Sequence, residues 1–180
     1  MDQAVPFASH AWFITLALML FARGMDILST RVATPRMVLE GNPIAKFMGW
    51  KWGMLFNLAI CLGFAFWPIP ALVISTCSVL VAARNFQSAW LMRTMGEEAY
   101  RDWFVSLLRQ RGFGLYLACL FAQAVLTGLV GVAVMYFGQY SEALVAIGTG
   151  IIGYAAAVLL FTLLAVWRMR RALRKNPIHS

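Results

Sequence analysis

Two uninterrupted apolar stretches set the main constraint on how this chain can fold. Phe113–Phe137 and Ala143–Trp167 each contain 25 residues without a single Asp, Glu, Lys or Arg. At 1.5 Å per residue, a helix of about 20 residues crosses the hydrocarbon core of a bilayer, which is about 30 Å thick. Because backbone polar groups must be satisfied inside that core, both stretches are predicted to be transmembrane helices.

The whole chain shares this apolar character. Of its 180 residues 62% are hydrophobic and 12% are charged, and the mean hydropathy is +0.75. Soluble domains are about half apolar and a quarter charged, so this composition excludes an ordinary soluble fold. The net charge of +8 is typical of cations that flank membrane helices. No basic stripe with interleaved aromatics marks a soluble module, and we predict no nucleic-acid partner.

The cysteines and histidines do not indicate a metal or haem site. Cys61, Cys77 and Cys119 lie in apolar stretches at unrelated spacings, and the two histidines, His10 and His179, lie near opposite ends of the chain. The cysteines are expected to behave as small buried hydrophobes. No complete catalytic motif is present, and no cofactor is indicated.

Three further spans are predicted in the first half of the chain. The first covers residues 8–30. From Trp52 to Ala83 no charge occurs, but Pro68-Ile69-Pro70 interrupts this stretch and predicts a hairpin of two helices, 45–67 and 71–92. A shallow re-entrant hairpin is the alternative, because each uncharged arm measures only about 22 Å.

A short helix over residues 95–111 is predicted to lie along the membrane surface. Thr94-x-x-Glu97 matches a capping box, and apolar residues such as Trp103 and Leu107 recur at helical spacing. A plain extension of a neighbouring helix is the alternative reading.

The charges then predict the orientation. All fifteen Lys and Arg fall at or near one face of the membrane in this five-span arrangement. They lie in or near the connector between the first two spans (31–46), the 84–111 region, or the tail. By the positive-inside rule the N-terminus lies outside and the C-terminus in the cytoplasm. The sequence thus predicts an all-α polytopic bundle in the inner membrane, a single domain over 1–180, with its last two spans at 113–137 and 143–170.

Two polar groups near this face are candidates for a binding site. Arg23, Asp26 and Thr30 share one face of the first helix, and Asp26 is expected to face the protein interior or water rather than lipid. It could bind a cation, relay protons or act as a base, or it could simply pair with Arg23 or Arg84. Arg84 and Asn85 lie at the corresponding end of the third helix, where Arg84 could bind an anion or extend to the headgroups.

The connector contributes the other two candidates. Asn42 and Pro43 are typical of an N-cap followed by the first helical residue, which accounts for both of them but not for Glu40. Gly41 would allow Glu40 and Asn42 to fold back toward Asp26. The lone amide Asn57 is expected to form an interhelical hydrogen bond.

The pattern Asp26-x-x-Ser29-Thr30 followed by Glu40-x-Asn42-Pro43 resembles the signature of an uncharacterised family of small multi-pass prokaryotic membrane proteins. The similarity covers about eighteen residues. It implies that Asp26, Thr30, Glu40 and Asn42 form a shared site, and it implies no activity.

Small residues form stripes in the last two spans, which predicts close packing of these helices on each other or a homodimer seam. The stripes are Ala124, Gly128, Gly131, Ala146, Gly150, Gly153 and Ala157.

Three classes of function fit these features. The first is a carrier or channel component that binds a small ion or polar solute at the polar cluster. The second is an accessory subunit of a larger membrane complex. The third is a membrane-embedded enzyme acting on a lipid headgroup, with Asp26 or Glu40 as base or metal ligand. In each case the basic face is expected to attract anionic lipids.

The orientation is testable with reporter fusions. Fusions placed after Ile69 and after Ser141 are expected to be active only outside the cytoplasm, because both positions lie in predicted outer loops that carry no Lys or Arg. Paired alkaline phosphatase and fluorescent-protein reporters distinguish the two compartments. A cytoplasmic reporter signal at either position would overturn the five-span topology.

Overall fold

The structure, a computed structural model, describes residues 4–175, without the side chains of residues 109, 111, 169, 170 and 172–175. The described residues form helices and no strands. The helices are α1 (His10–Ala33), α2 (Pro43–Phe64), α3 (Pro68–Met95), α4 (Glu97–Arg111), α5 (Phe113–Phe137) and α6 (Glu142–Lys175). All except α4 are long and apolar enough to cross a membrane, which confirms the predicted all-α bundle of five spans. Several of the cations that predict the orientation lie outside the described side chains.

The hairpin of α2 and α3 forms much as the proline pattern predicts, but α3 begins earlier than expected. Its first residue is Pro68 rather than residue 71, because proline at the start of a helix removes only an N–H that would have no helical partner. The turn therefore covers only residues 65–67. The backbone N–H of Val5 donates to Phe66 O over 2.8 Å, so the N-terminal segment lies beside this turn.

Glycines with positive φ bound α4 on both sides and make it a separate helix. Gly96 has φ 83° and ψ 152°, and Gly112 has φ 80° and ψ 148°, a region that essentially only glycine adopts. The predicted capping box is wrong. The Thr94 hydroxyl donates to Trp90 O over 2.7 Å, and Glu97 binds a different segment, described below.

The helices pack unequally. α3 is the central helix and packs against both α1 and α6, and α6 also packs against α5. In contrast, α2 makes few contacts with α1 and α3, and Cys61 is its only buried residue. Cys61 joins a small core with Met19 and Ala71. Large apolar side chains cover the outside of the bundle, as expected where lipid is the solvent.

The small-residue stripes serve two different contacts. Gly131 of α5 and Gly148 of α6 form the close approach between these helices, because a Cβ on Gly131 would lie 2.8 Å from Gly148 O. Gly150 instead faces α3, where a Cβ would lie 2.7 Å from Val73 O. Gly128 and Gly153 face open space. Packing of α5 on α6 therefore explains only part of the predicted pattern.

Two alanine substitutions in α6 are expected to have opposite effects on stability. Gly148→Ala places a Cβ 2.6 Å from Gly131 O, and such overpacking costs about 1–3 kcal/mol. Gly153→Ala meets no atom within 4 Å, so the better helix propensity of alanine raises the free energy of unfolding by up to about 1 kcal/mol. Thermal unfolding in one detergent compares them. Equal effects would contradict the described α5–α6 contact.

Candidate functional site

All six candidate residues line one cavity at the basic end of the bundle. The cavity has a volume of about 390 Å³ and is bounded by α1, α2, α3, α6 and the connector between α1 and α2. This volume falls in the range of small-molecule sites, about 300–1,000 Å³. The six candidates that line it are Asp26, Thr30, Glu40, Asn42, Arg84 and Asn85.

The inner end of the cavity is formed by a hydrogen-bonded cluster around Arg23. The guanidinium Nη1 lies 2.9 Å from Asp26 Oδ2 and donates to Ser78 Oγ over 2.9 Å. Nε donates to Asn57 Oδ1 over 2.6 Å, and Nη2 donates to the same oxygen. The predicted pairing of Asp26 with Arg23 is confirmed, and Arg23 joins three helices.

The amide of Asn85 connects α3 to the face of α1 that contains the candidates. Its Nδ2 lies 3.1 Å from Thr30 Oγ1 and 3.3 Å from Ser29 Oγ, and the Ser29 hydroxyl in turn donates to Asp26 O over 2.9 Å. Ser29 is fully buried. These bonds fix the register of α1 against α3, and they leave Thr30 and Asn85 at the cavity wall.

Glu40 and Asn42 order the start of α2 while lining the cavity. Asn42 Oδ1 accepts from the backbone N–H of Ile44 over 3.0 Å, which confirms the predicted N-cap. Glu40 Oε1 accepts from the Asn42 backbone N–H over 2.7 Å. Burial raises the pKa of Glu40 above its usual value, although that N–H and the nearby Lys46 act in the opposite direction.

Arg84 differs from the other five candidates because one of its buried polar atoms lacks a hydrogen-bond partner. Among the described residues, only two buried side-chain polar atoms have no hydrogen-bond partner, and these are Arg84 Nη1 and Trp12 Nε1. Leaving a buried donor unsatisfied costs about 1–3 kcal/mol, and more for a charged group. Its neighbour Gln87 is exposed and does not line the cavity.

The connector that covers the basic end of the cavity is held by Glu97. Glu97 Oε1 accepts from the backbone N–H of Arg36 over 2.9 Å, and Oε2 accepts from that of Val38 over 3.0 Å and from the Thr34 hydroxyl. Burial alone would raise the pKa of Glu97, but these hydrogen bonds and the charge of Arg36 outweigh it and lower the pKa. The ionised carboxylate therefore stabilises the folded connector.

Two further contacts attach the connector to neighbouring helices. Trp50 Nε1 donates to Pro35 O over 2.9 Å, and Arg168 Nη2 of α6 donates to Gly41 O. Gly49 kinks α2 between its first turns and the rest of the helix, because its φ of 65° and ψ of −174° are not helical. These contacts hold the connector over the basic end of the cavity.

The sequence pattern does not identify three residues that hold this site together. Asn57 forms the predicted interhelical bond, but no pattern places it at the cavity wall. Ser78 carries no distinguishing pattern, and the Thr94-x-x-Glu97 pattern indicates a helix cap rather than a bond to the connector. Only their positions in the folded bundle show that they hold Arg23 and the connector.

Comparison with known proteins adds no assignment: no family model, no curated protein and no solved structure matches this chain. The family resemblance of the Asp26–Pro43 segment therefore remains a prediction.

The importance of Glu97 for the connector is testable against its neighbour. Glu97→Gln is expected to lower the free energy of unfolding by about 1–3 kcal/mol, a few degrees in Tm. Glu98→Gln, at an exposed pair with Arg36, is expected to change it by less than about 1 kcal/mol.

The pH dependence gives an internal check. Because the pKa of Glu97 is lowered in the folded state, its stabilisation is fully present above the usual pKa of 4.5 and is lost as the pH falls through the lower folded value. The Tm difference between the native chain and Glu97→Gln should therefore shrink on acidification in that window. A difference that stays constant down to the acid limit would contradict the assignment.

Proposed function

We propose that this chain binds a small polar solute with an anionic group in the cavity at its basic end, as a carrier or channel component of the inner membrane. In this proposal the basic end faces the cytoplasm and the N-terminus lies outside. The observation that carries it is Arg84, which lines a cavity with five further polar candidates and has a buried Nη1 without a hydrogen-bond partner.

A ligand accounts for Arg84 better than packing does. Guanidinium groups bind carboxylate and phosphate through two parallel hydrogen bonds, and such charge-assisted bonds are about twice as strong as neutral ones. Extension to the headgroups would place the guanidinium in water or among phosphates, whereas Nη1 is buried. An anion in the cavity would supply the missing acceptor.

The other lining groups suit the remainder of a polar solute. Thr30 and Asn85 offer a hydroxyl and an amide, and the Glu40 carboxyl offers acceptor oxygens. The cavity is also lined by apolar residues of α2 and α6, such as Met54 and Phe161. A few polar groups in a largely apolar pocket are typical of small-molecule sites.

The proposal predicts that the cavity binds a simple anion through Arg84. Inorganic phosphate should raise the Tm of the purified protein in a zwitterionic or non-ionic detergent, because a ligand that binds only the folded state stabilises it. Arg84→Gln should weaken phosphate binding about tenfold or more, since hydrogen bonds to charged groups contribute about 1.5–3 kcal/mol.

Arg93→Gln is the matched control, because Arg93 lies on the same helix, is exposed and does not line the cavity. Chloride at equal ionic strength separates binding from screening. An equal phosphate effect in both variants, or none in the native chain, would refute the proposal.

A further inference from the structure

The connector covers the cavity at the basic end, and packed helices bound most of its other sides. Glu97, Trp50 and Arg168 each bind the connector that covers the basic end. α3 packs closely against α1 and against α6, and Arg23 of α1 bonds to Asn57 of α2, so these joints offer no ready path into the cavity. Access from the surrounding medium therefore depends on the remaining side.

The remaining side lies between α2 and α6. Both helices line the cavity, yet substantial packing between them is not found in the described part of the chain. Most lining residues there are apolar, such as Met48 and Met54 from α2 and Ala157 and Phe161 from α6. Met54 is 47% exposed, so this wall is continuous with the outer surface of the bundle, which faces lipid.

The position of Arg84 along α3 places its guanidinium within reach of a lipid headgroup. Arg84 follows Pro68 by sixteen residues, about 24 Å along the helix at 1.5 Å per residue. With the 65–67 turn at one boundary of a core about 30 Å thick, Arg84 lies about 6 Å inside the boundary at the basic face. A phosphate that dips slightly below its leaflet would reach this depth.

From this arrangement we infer that the ligand of the cavity is an anionic phospholipid, which enters sideways between α2 and α6. Its phosphate binds Arg84, its headgroup hydroxyls contact Thr30 and Asn85, and its acyl chains leave through the apolar gap. The inference rests on the proposed function and names the ligand class of that same site. An apolar opening next to Arg84, whose buried Nη1 lacks a partner, fits an amphiphile with an anionic head better than it fits a freely soluble anion.

Photo-crosslinking at two adjacent positions of α2 tests the inference. Met54 and Leu55 are both exposed, but only Met54 lines the cavity. The full chain carrying Met54→p-benzoylphenylalanine or Leu55→p-benzoylphenylalanine is reconstituted in vesicles of phosphatidylcholine with a minor fraction of phosphatidylglycerol. Mass spectrometry then gives the ratio of the two lipids among the adducts at each position.

The ratio of phosphatidylglycerol to phosphatidylcholine should be about fivefold higher at Met54 than at Leu55, the factor expected from one basic residue attracting an anionic lipid. Arg84→Gln should remove this difference, and Arg93→Gln should preserve it. The contrast between Met54 and Leu55 in the native background stands even if Arg84→Gln does not fold. Equal ratios at the two positions would overturn the inference, because they indicate only the surrounding bulk lipid.

The proposed function and the lipid inference are contradicted by different results. If phosphate stabilises the detergent-purified protein through Arg84 but the lipid ratios are equal, the ligand is a soluble anion, and only the lipid inference is wrong. If Arg84→Gln changes neither the binding of phosphate nor the ratio of phosphatidylglycerol to phosphatidylcholine at Met54, the proposed function is wrong as well.

Discussion

The bundle depends on how the charge of Arg23 is accommodated inside the membrane. Its guanidinium bonds to Ser78, which follows Pro68 by ten residues, about 15 Å along α3 and half the thickness of a bilayer core of about 30 Å. A lone cation at the centre of such a core costs about 2.5–3.5 kcal/mol or more. Asp26 supplies the opposite charge, and Asn57 and Ser78 supply acceptors from two other helices. The charge is therefore tolerable only when α1, α2 and α3 are assembled in this arrangement.

This polar joint explains how α2 can be loosely packed and still hold a defined position. Apolar contact contributes little, since Cys61 is its only buried residue, and lipid competes equally well for its apolar side chains. Asn57, together with the Trp50 bond to the connector, fixes the helix at two points instead. A helix held by polar contacts rather than by close packing leaves space beside it, and that space is the cavity.

Composition and local spacing predict most of the fold, because a helix that lipid surrounds must be a long apolar run, and such a run is recognised from the sequence alone. The span at 113–137 follows directly from an uncharged apolar run, and the N-cap at Asn42 follows from a short motif. The pairing of Arg23 with Asp26 also follows from one-turn spacing. Glu97 could not be predicted, because its partners lie about sixty residues away in the connector, whereas the Thr94-x-x-Glu97 pattern suggested a local role. The same limit applies to Ser78, whose partner is set by helix pairing alone.

Hydrogen bonds within the fold also determine which candidate residues are left to bind a ligand. Asp26 is neutralised by Arg23, and Asn42 uses its side-chain oxygen to cap α2, so both candidates are already committed to the fold. Burial raises the pKa of Glu40, so the negative charge of this residue is lost more easily than that of an exposed glutamate. Arg84, by contrast, has no ion-pair partner among the described side chains, and its buried Nη1 lacks an acceptor. Arg84 is therefore the residue on which the proposed anion site rests, because the cavity is lined by as many acidic as basic side chains once Arg23 is counted.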